Sequence, residues 1–169
     1  MATLTELLTA DSRAAIDGWV AKYPPERKLS AVMAALDIAQ DQNGGWLSQE
    51  LMDAVAEYLE LAPIAVYEVA TFYSMFDRSE VGKHKINVCT NISCQLCGSD
   101  EVMQQLQDRL GIKAGETTAD GLITLREVEC LAACGAAPMM QIDKTYHENL
   151  TPETIDKLLE GLGWSDANG

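Results

Sequence analysis

The sequence has few basic residues, and this scarcity excludes several classes of function. Its 169 residues include 12 Lys and Arg against 26 Asp and Glu, so the formal net charge is −14. Proteins that bind nucleic acids or anionic lipid surfaces rely on clustered Lys and Arg. The composition therefore argues against both kinds of partner. A hydrophobic fraction of 47 % is that of an ordinary globular protein, so the acidity belongs to a folded surface and does not indicate disorder.

Long apolar runs and a basic leader are also missing. The longest uncharged stretches, residues 86–99 and 130–142, are shorter than the roughly 20 apolar residues needed to cross a bilayer. The first residues have no basic region and no Arg-rich presequence character. We therefore expect a cytoplasmic protein in a reducing compartment. The cysteines number five and lie in two short segments, which is not typical of a secreted disulfide framework.

The hydrophobic pattern changes near residue 80 and predicts two domains, 1–80 and 81–169. The first domain contains the start signals of four short amphipathic helices, at Asp11, Ser30, Ser48 and Pro63. The fourth helix is expected to run to about Met75. Because each helix is short and has one apolar face, we expect an N-terminal helical bundle.

The second domain follows the order β-α-β-β-α. Strands are predicted over residues 85–88, 122–129 and 139–142, and helices are predicted to start at Ser99 and Thr151. This order implies a small mixed sheet with helices packed on it. The predicted fold class is therefore α+β overall, with a helical bundle followed by an α/β domain.

The five cysteines carry the chemistry that the sequence indicates. Cys89 and Cys94 are separated by four residues, Cys130 and Cys134 by three, and each pair directly follows a predicted strand. Small residues follow both pairs, which allows backbone N–H groups to approach sulfur. The flanking residues include no His and hardly any charge, as suits a soft, thiolate-ligated centre shielded from water.

Cys97 leaves four interpretations of these spacings open. A 2Fe-2S cluster could be held by Cys89, Cys94, Cys130 and Cys134, or a plant-type cluster could use Cys89-x4-Cys94-x2-Cys97 with one distant cysteine. Zinc would fit best on Cys94, Cys97, Cys130 and Cys134, although this leaves Cys89 unused at its strand end. A dithiol oxidoreductase based on the C-x-x-C of Cys94 and Cys97 leaves three cysteines unexplained.

Around these cysteines the sequence resembles the family formed by the E subunit of bacterial NADH:quinone oxidoreductase and the 24 kDa subunit of mitochondrial complex I. The similar segments are residues 45–47, 69–76, 88–94, 130–138 and 150–153, and the resemblance covers roughly residues 10–162. It implies that the second domain is thioredoxin-like and carries one 2Fe-2S cluster on Cys89, Cys94, Cys130 and Cys134. It also implies a cis peptide bond before Pro138.

The resemblance further implies an electron-transfer subunit that does not turn over alone. NADH would reduce an FMN in the partner flavoprotein subunit, and the cluster would accept one electron from that flavin. A second implied partner is the large iron–sulfur subunit of the same peripheral arm. The complex would place the chain at the inner face of the cytoplasmic membrane, with no direct membrane contact. No Gly-rich fingerprint marks a dinucleotide site in the chain itself.

Two alternatives accompany this interpretation. Related subunits of NAD-reducing hydrogenases and NAD-dependent formate dehydrogenases share the ligand pattern, so the chain could be the equivalent diaphorase subunit of such an enzyme. A zinc-stabilised interaction module without a redox role is the alternative from another functional class.

Three other features carry weaker expectations. Family members generally have a basic residue, often Arg, where this chain has Cys97, so the resemblance implies that Cys97 is not a ligand and that the cluster potential is lower. Residues 71–76 could form a docking surface, but we expect a helix end packed in the core. His84 and His147 are expected to be structural.

Overall fold

The computed structural model describes residues 4–165 and divides into two compact units. The first unit ends at Glu80 and the second begins at Val81. Within residues 4–165, no helix combines the length and apolar character that a bilayer span demands.

The first unit consists of short helices around one apolar core. Its α-helices are α1 (Ala10–Val20), α2 (Val32–Gln42), α3 (Gln49–Leu59) and α4 (Pro63–Phe72), with 3-10 helices at Leu4–Leu7 and Pro25–Ala31. Ile16, Leu36 and Leu59 are among the side chains that are fully buried in this core. The predicted helical bundle is confirmed.

Short polar side chains cap two of these helices. Ser48 begins α3 as predicted, because its hydroxyl accepts the N–H of Leu51 at 3.2 Å. The predicted cap of α1 is wrong. Thr9 caps that helix by accepting the N–H of Ser12 at 3.1 Å, and Asp11 lies in the first turn, where its charge favours the helix dipole.

The start of α2 and the end of α4 also differ from the prediction. Ser30 lies inside the 3-10 helix Pro25–Ala31, and α2 starts after it without a side-chain cap. The helix α4 ends at Phe72, three residues before Met75, because Tyr73 has an extended backbone with φ −89° and ψ 120°. Residues 73–75 therefore leave the helix.

The second unit is a four-stranded mixed sheet with three helices. Its elements are β1 (His84–Cys89), α5 (Ile92–Leu96), α6 (Ser99–Leu110), β2 (Ile123–Val128), β3 (Met140–Ile142), β4 (Thr145–His147) and α7 (Pro152–Gly161). The strand order is β2-β1-β3-β4, in which β1 and β2 are parallel and the other pairs are antiparallel. The α+β class is confirmed, but α5 and β4 are too short for periodicity to predict them.

The helix starts and the core of this unit are well defined. Gly98, in the left-handed conformation at φ 97°, precedes α6, so Ser99 is the first helical residue and not the predicted cap. Thr151 opens α7 with a capping box that it shares with Thr154. The fully buried Ile86 belongs to the core between the sheet and its helices, so β1 is fixed by packing as well as by pairing.

Candidate metal centre

The parallel pairing of β1 and β2 determines where the cysteines lie. Cys89 is the last residue of β1 and stands opposite Val128, the last residue of β2. Because parallel strands end at the same edge of a sheet, Cys130, two residues beyond Val128, is brought to the edge that holds Cys89. Cys94 lies in α5, which begins directly after β1, and Cys134 opens a 3-10 turn.

Two of these cysteines are buried and two are exposed. Cys89 and Cys94 form a small apolar cluster with the fully buried Met139, and Leu131 is packed against it. Cys130 and Cys134 are exposed. The sheet edge therefore offers a group of thiols that is apolar on its inner side and open to a partner on the other.

The four thiols of the two sequence pairs interact with one another. The thiol of Cys89 contacts those of Cys94 and Cys130, and Cys134 acts electrostatically on Cys94. Cys97 is the C-terminal cap of α5, and its side chain is exposed. The structure thus brings together the four cysteines that the resemblance implied as ligands.

Backbone donors stabilise the thiolate form of Cys89. Burial raises the pKa of this thiol, but hydrogen bonds from the backbone of Asn91 and Leu131, and from the thiols of Cys94 and Cys130, outweigh burial and lower the pKa of Cys89. The thiolate is the form that binds metals. The environment of Cys89 is therefore suited to metal binding.

The neighbouring thiol responds in the opposite direction. Burial and the adjacent Cys89 thiolate raise the pKa of Cys94 to about 11, against a smaller lowering by the backbone of Met139. Two adjacent thiolates repel each other, so the second is difficult to ionise in an apolar setting. A bound metal removes this conflict, since a coordinating thiol is deprotonated outright.

The loop that carries the second pair places further backbone groups near sulfur. The N–H of Ala132 donates to Sγ of Cys130 at 3.3 Å, and Ala132 has the left-handed φ of 60°. The Ala137–Pro138 peptide bond is cis, as the resemblance implied. Sequence reasoning found the ligand candidates but not these N–H donors, because a backbone group has no residue signature. Asn91, which caps α5 by accepting the N–H of Ile92, is the nearest such signal.

The donor set fits an all-thiolate binuclear cluster. Among residues 4–165, no three His, Cys, Asp or Glu side chains are arranged to hold a single metal ion. A 2Fe-2S cluster makes a different demand, because its four cysteine ligands are divided between two irons. Four thiols with N–H donors directed at sulfur are the ligand chemistry of that cluster.

Other residues singled out in the sequence lie away from the thiols or on the surface. His84 stands at the start of β1, the opposite end from Cys89, where its Nδ1 lies 2.9 Å from a carboxylate oxygen of Asp143. The expectation that residues 71–76 pack in the core is wrong for most of the segment. Residues 71–75 are exposed, and only Phe76 is buried.

Comparison with known proteins supports the same chemistry. The family model of the thioredoxin-like 2Fe-2S ferredoxin matches residues 16–163. The NADH-quinone oxidoreductase E subunit of Rickettsia felis is 50% identical over 141 residues, which are 83% of this chain and 84% of that protein. The mitochondrial NADH dehydrogenase (ubiquinone) flavoprotein 2 of Dictyostelium discoideum is 45% identical over 154 residues, which are 91% of this chain and 62% of the relative.

Among solved structures, an NAD+-reducing NiFe hydrogenase in the air-oxidised state has a TM-score of 0.67 and 21% sequence identity. The match covers 78% of this chain but only 22% of the hydrogenase chain, so it is a likeness of fold alone. The family match spans both units and includes all five cysteines. The chain belongs to the thioredoxin-like 2Fe-2S ferredoxin family.

Proposed function

We propose that the chain is the electron-transfer subunit of an NADH:quinone oxidoreductase, with one 2Fe-2S cluster held by Cys89, Cys94, Cys130 and Cys134. The observation that carries this proposal is the convergence of these four thiols where β1 and β2 end, in a member of a 2Fe-2S family. When bound, the cluster supplies a one-electron acceptor. NADH and FMN belong to the partner flavoprotein subunit, and the chain has no turnover of its own.

The residues around the thiols have distinct tasks in this proposal. The backbone N–H groups of Asn91, Leu131 and Ala132 stabilise negative charge on sulfur, which contributes to setting the reduction potential. The buried Met139 keeps water from the inner pair of thiols. The exposed Cys130 and Cys134 lie on the side from which an electron donor can approach.

The assembly follows from the same proposal. The N-terminal helical bundle, residues 1–80, binds the flavoprotein subunit, and the large iron–sulfur subunit of the peripheral arm is a further neighbour. The chain lies on the cytoplasmic side of the membrane and is attached to it only through the complex. The acidic surface, with a net charge of −14, suits basic partner surfaces.

A diaphorase role in a hydrogenase or formate dehydrogenase is less well supported. The relatives with half of their residues identical, aligned over 84% of their length, are quinone oxidoreductase subunits. The hydrogenase shares 21% identity over 22% of its chain. Identity at that level reflects the common fold and does not specify the parent enzyme.

The proposal is tested by mixing the purified holo-chain with the flavoprotein subunit and adding NADH under anaerobic conditions. We expect bleaching of the visible cluster absorption and a 2Fe-2S electron paramagnetic resonance signal only when the flavoprotein is present. A colourless chain that contains one zinc would instead establish the zinc-stabilised module. A red-brown cluster that NADH and the flavoprotein leave oxidised would refute electron transfer from this partner.

A further inference from the structure

The segment that follows α4 exposes large apolar side chains where a bundle would normally bury them. Phe72 is 80% exposed, Met75 48% and Tyr73 40%, although Ala70 and Phe76 on either side are buried. We call Phe72, Tyr73 and Met75 the α4 patch. Contiguous apolar side chains exposed to this extent mark an interaction site more often than a free surface.

The α4 patch is held in place by buried hydrogen bonds. The side chain of Gln40 donates to the carbonyl of Met75 at 3.2 Å and accepts the N–H of Asp77 at 2.7 Å. The carbonyl of Asp77 accepts the N–H of Leu47 at 2.7 Å. The backbone beneath the patch is therefore anchored to α2 and to the loop before α3. A segment anchored in this way loses little conformational entropy when a partner covers it.

The aromatic residues of the patch are also arranged in advance. The rings of Phe72 and Tyr73 make an edge-to-face contact, with their centroids 5.0 Å apart. Such a pair restricts both side chains before any partner arrives. Rigid aromatic anchors of this kind are enriched among the few residues that dominate binding energy in protein interfaces.

Charge around the patch selects the partner. Glu68 lies one helical turn before Phe72 and is exposed, and Asp41 follows Gln40 at the end of α2, also exposed. Arg78 is the one nearby basic residue in the described sequence from 60 to 80. A second copy of this chain would bring the same acidic rim and a net charge of −14 against it, so self-association is opposed. A partner with an apolar pocket bordered by Lys and Arg is complementary.

We infer that the α4 patch is the anchor by which the bundle binds the flavoprotein subunit, and that Phe72 enters an apolar pocket with a basic rim on that partner. This inference rests on the proposed function, since the electron donor must be held beside the chain. It assigns to three residues a binding role that the bundle as a whole has in the proposal.

The test compares the affinity of intact holo-variants for the immobilised flavoprotein subunit. Phe72→Ala should weaken binding at least about tenfold, because loss of a central aromatic anchor typically has that effect. Glu68→Lys should weaken binding by a smaller factor, and the difference from the wild type should shrink as salt is raised. Leu29→Ala is the matched control, since Leu29 is an exposed apolar residue that lies before α2, at the opposite end from Gln40. It should bind as the wild type does.

The outcomes separate this inference from the proposed function. If the wild type binds the flavoprotein and Phe72→Ala binds equally well, the inference is overturned and the proposed function stands. If the wild type does not bind the flavoprotein, both are overturned. Sedimentation that shows a wild-type dimer which Phe72→Ala dissociates would assign the patch to a second copy and overturn the inference. Unchanged visible spectra and melting temperatures of the variants show that folding is intact, as expected for exposed side chains.

Discussion

Gly82 is the position where a single methyl group should most clearly disturb the arrangement that places Cys89. It lies buried just before β1, and its N–H donates to the hydroxyl of Thr124 on β2 at 2.6 Å. A Cβ at Gly82 would lie 2.8–2.9 Å from backbone atoms of Ile123 and Thr124. Backbone atoms cannot rotate away as a flexible side chain can. Gly82→Ala therefore requires the start of β1 to move relative to β2.

The magnitude follows from two separate effects. Overpacking in a filled core costs about 1–3 kcal/mol. Displacement also strains the buried hydrogen bond to Thr124, and loss of such a bond costs about 1–3 kcal/mol. Because relaxation of the chain reduces both effects together, we expect Gly82→Ala to lower the free energy of unfolding of the second unit by about 2–4 kcal/mol.

Native-state hydrogen exchange of the β1 and β2 amides measures this change in the second unit alone. Gly161→Ala is the matched control, because a Cβ at Gly161 would meet no atom within 4 Å and its φ is not left-handed. That variant should be unchanged or more stable by up to about 1 kcal/mol. If protection of β1 were equal in Gly82→Ala and the wild type, the close packing of β1 against β2 at this point would be refuted.

Three further expectations concern the second unit and the bundle. Thr151→Ala removes the cap of α7 and should lower the free energy of unfolding by about 1 kcal/mol in urea titrations, and an unchanged midpoint would contradict this. The hydroxyl of Thr118 and the N–H of Leu122 lower the pKa of Asp120, so its stabilisation is present above the ordinary carboxyl pKa and is lost as pH falls through the lowered value. Asp120→Asn should reduce this acid-induced loss in unfolding measured across acidic pH, and an identical acid profile would argue against it. Deletion of residues 1–78 should leave the visible cluster spectrum intact but abolish tight binding to the flavoprotein subunit, so retained binding would reject a role for the bundle.

The sequence predicted the elements with strong periodicity and the chemistry with strong spacing. Ser48 could be identified as a cap because Ser precedes a long apolar stripe, and its hydrogen bond is found. Thr9 was overlooked because the apolar pattern of α1 is weak and Asp11, two residues later, is an equally good capping residue type. The cysteine pairs were predictable because each follows a strand that hydrophobic alternation reveals.

What the sequence did not predict depends on tertiary contacts. Periodicity cannot show whether an apolar helix end is covered, so Phe72 was expected in the core, whereas it is exposed. The helix α5, which carries Cys94, has five residues and no room for a periodic pattern. The N–H groups of Leu131 and Ala132 reach sulfur because of the loop conformation, including the left-handed φ of Ala132. Side-chain composition does not determine these positions.

The central claim is that Cys89, Cys94, Cys130 and Cys134 hold one 2Fe-2S cluster and that Cys97 does not participate. It is tested most directly by iron and acid-labile sulfide analysis of Cys134→Ser and Cys97→Ser, purified anaerobically beside the wild type. We expect about two irons and two sulfides per chain in the wild type and in Cys97→Ser, with the same visible spectrum. We expect loss of that complement in Cys134→Ser. A full complement in Cys134→Ser together with its loss in Cys97→Ser would contradict the assignment.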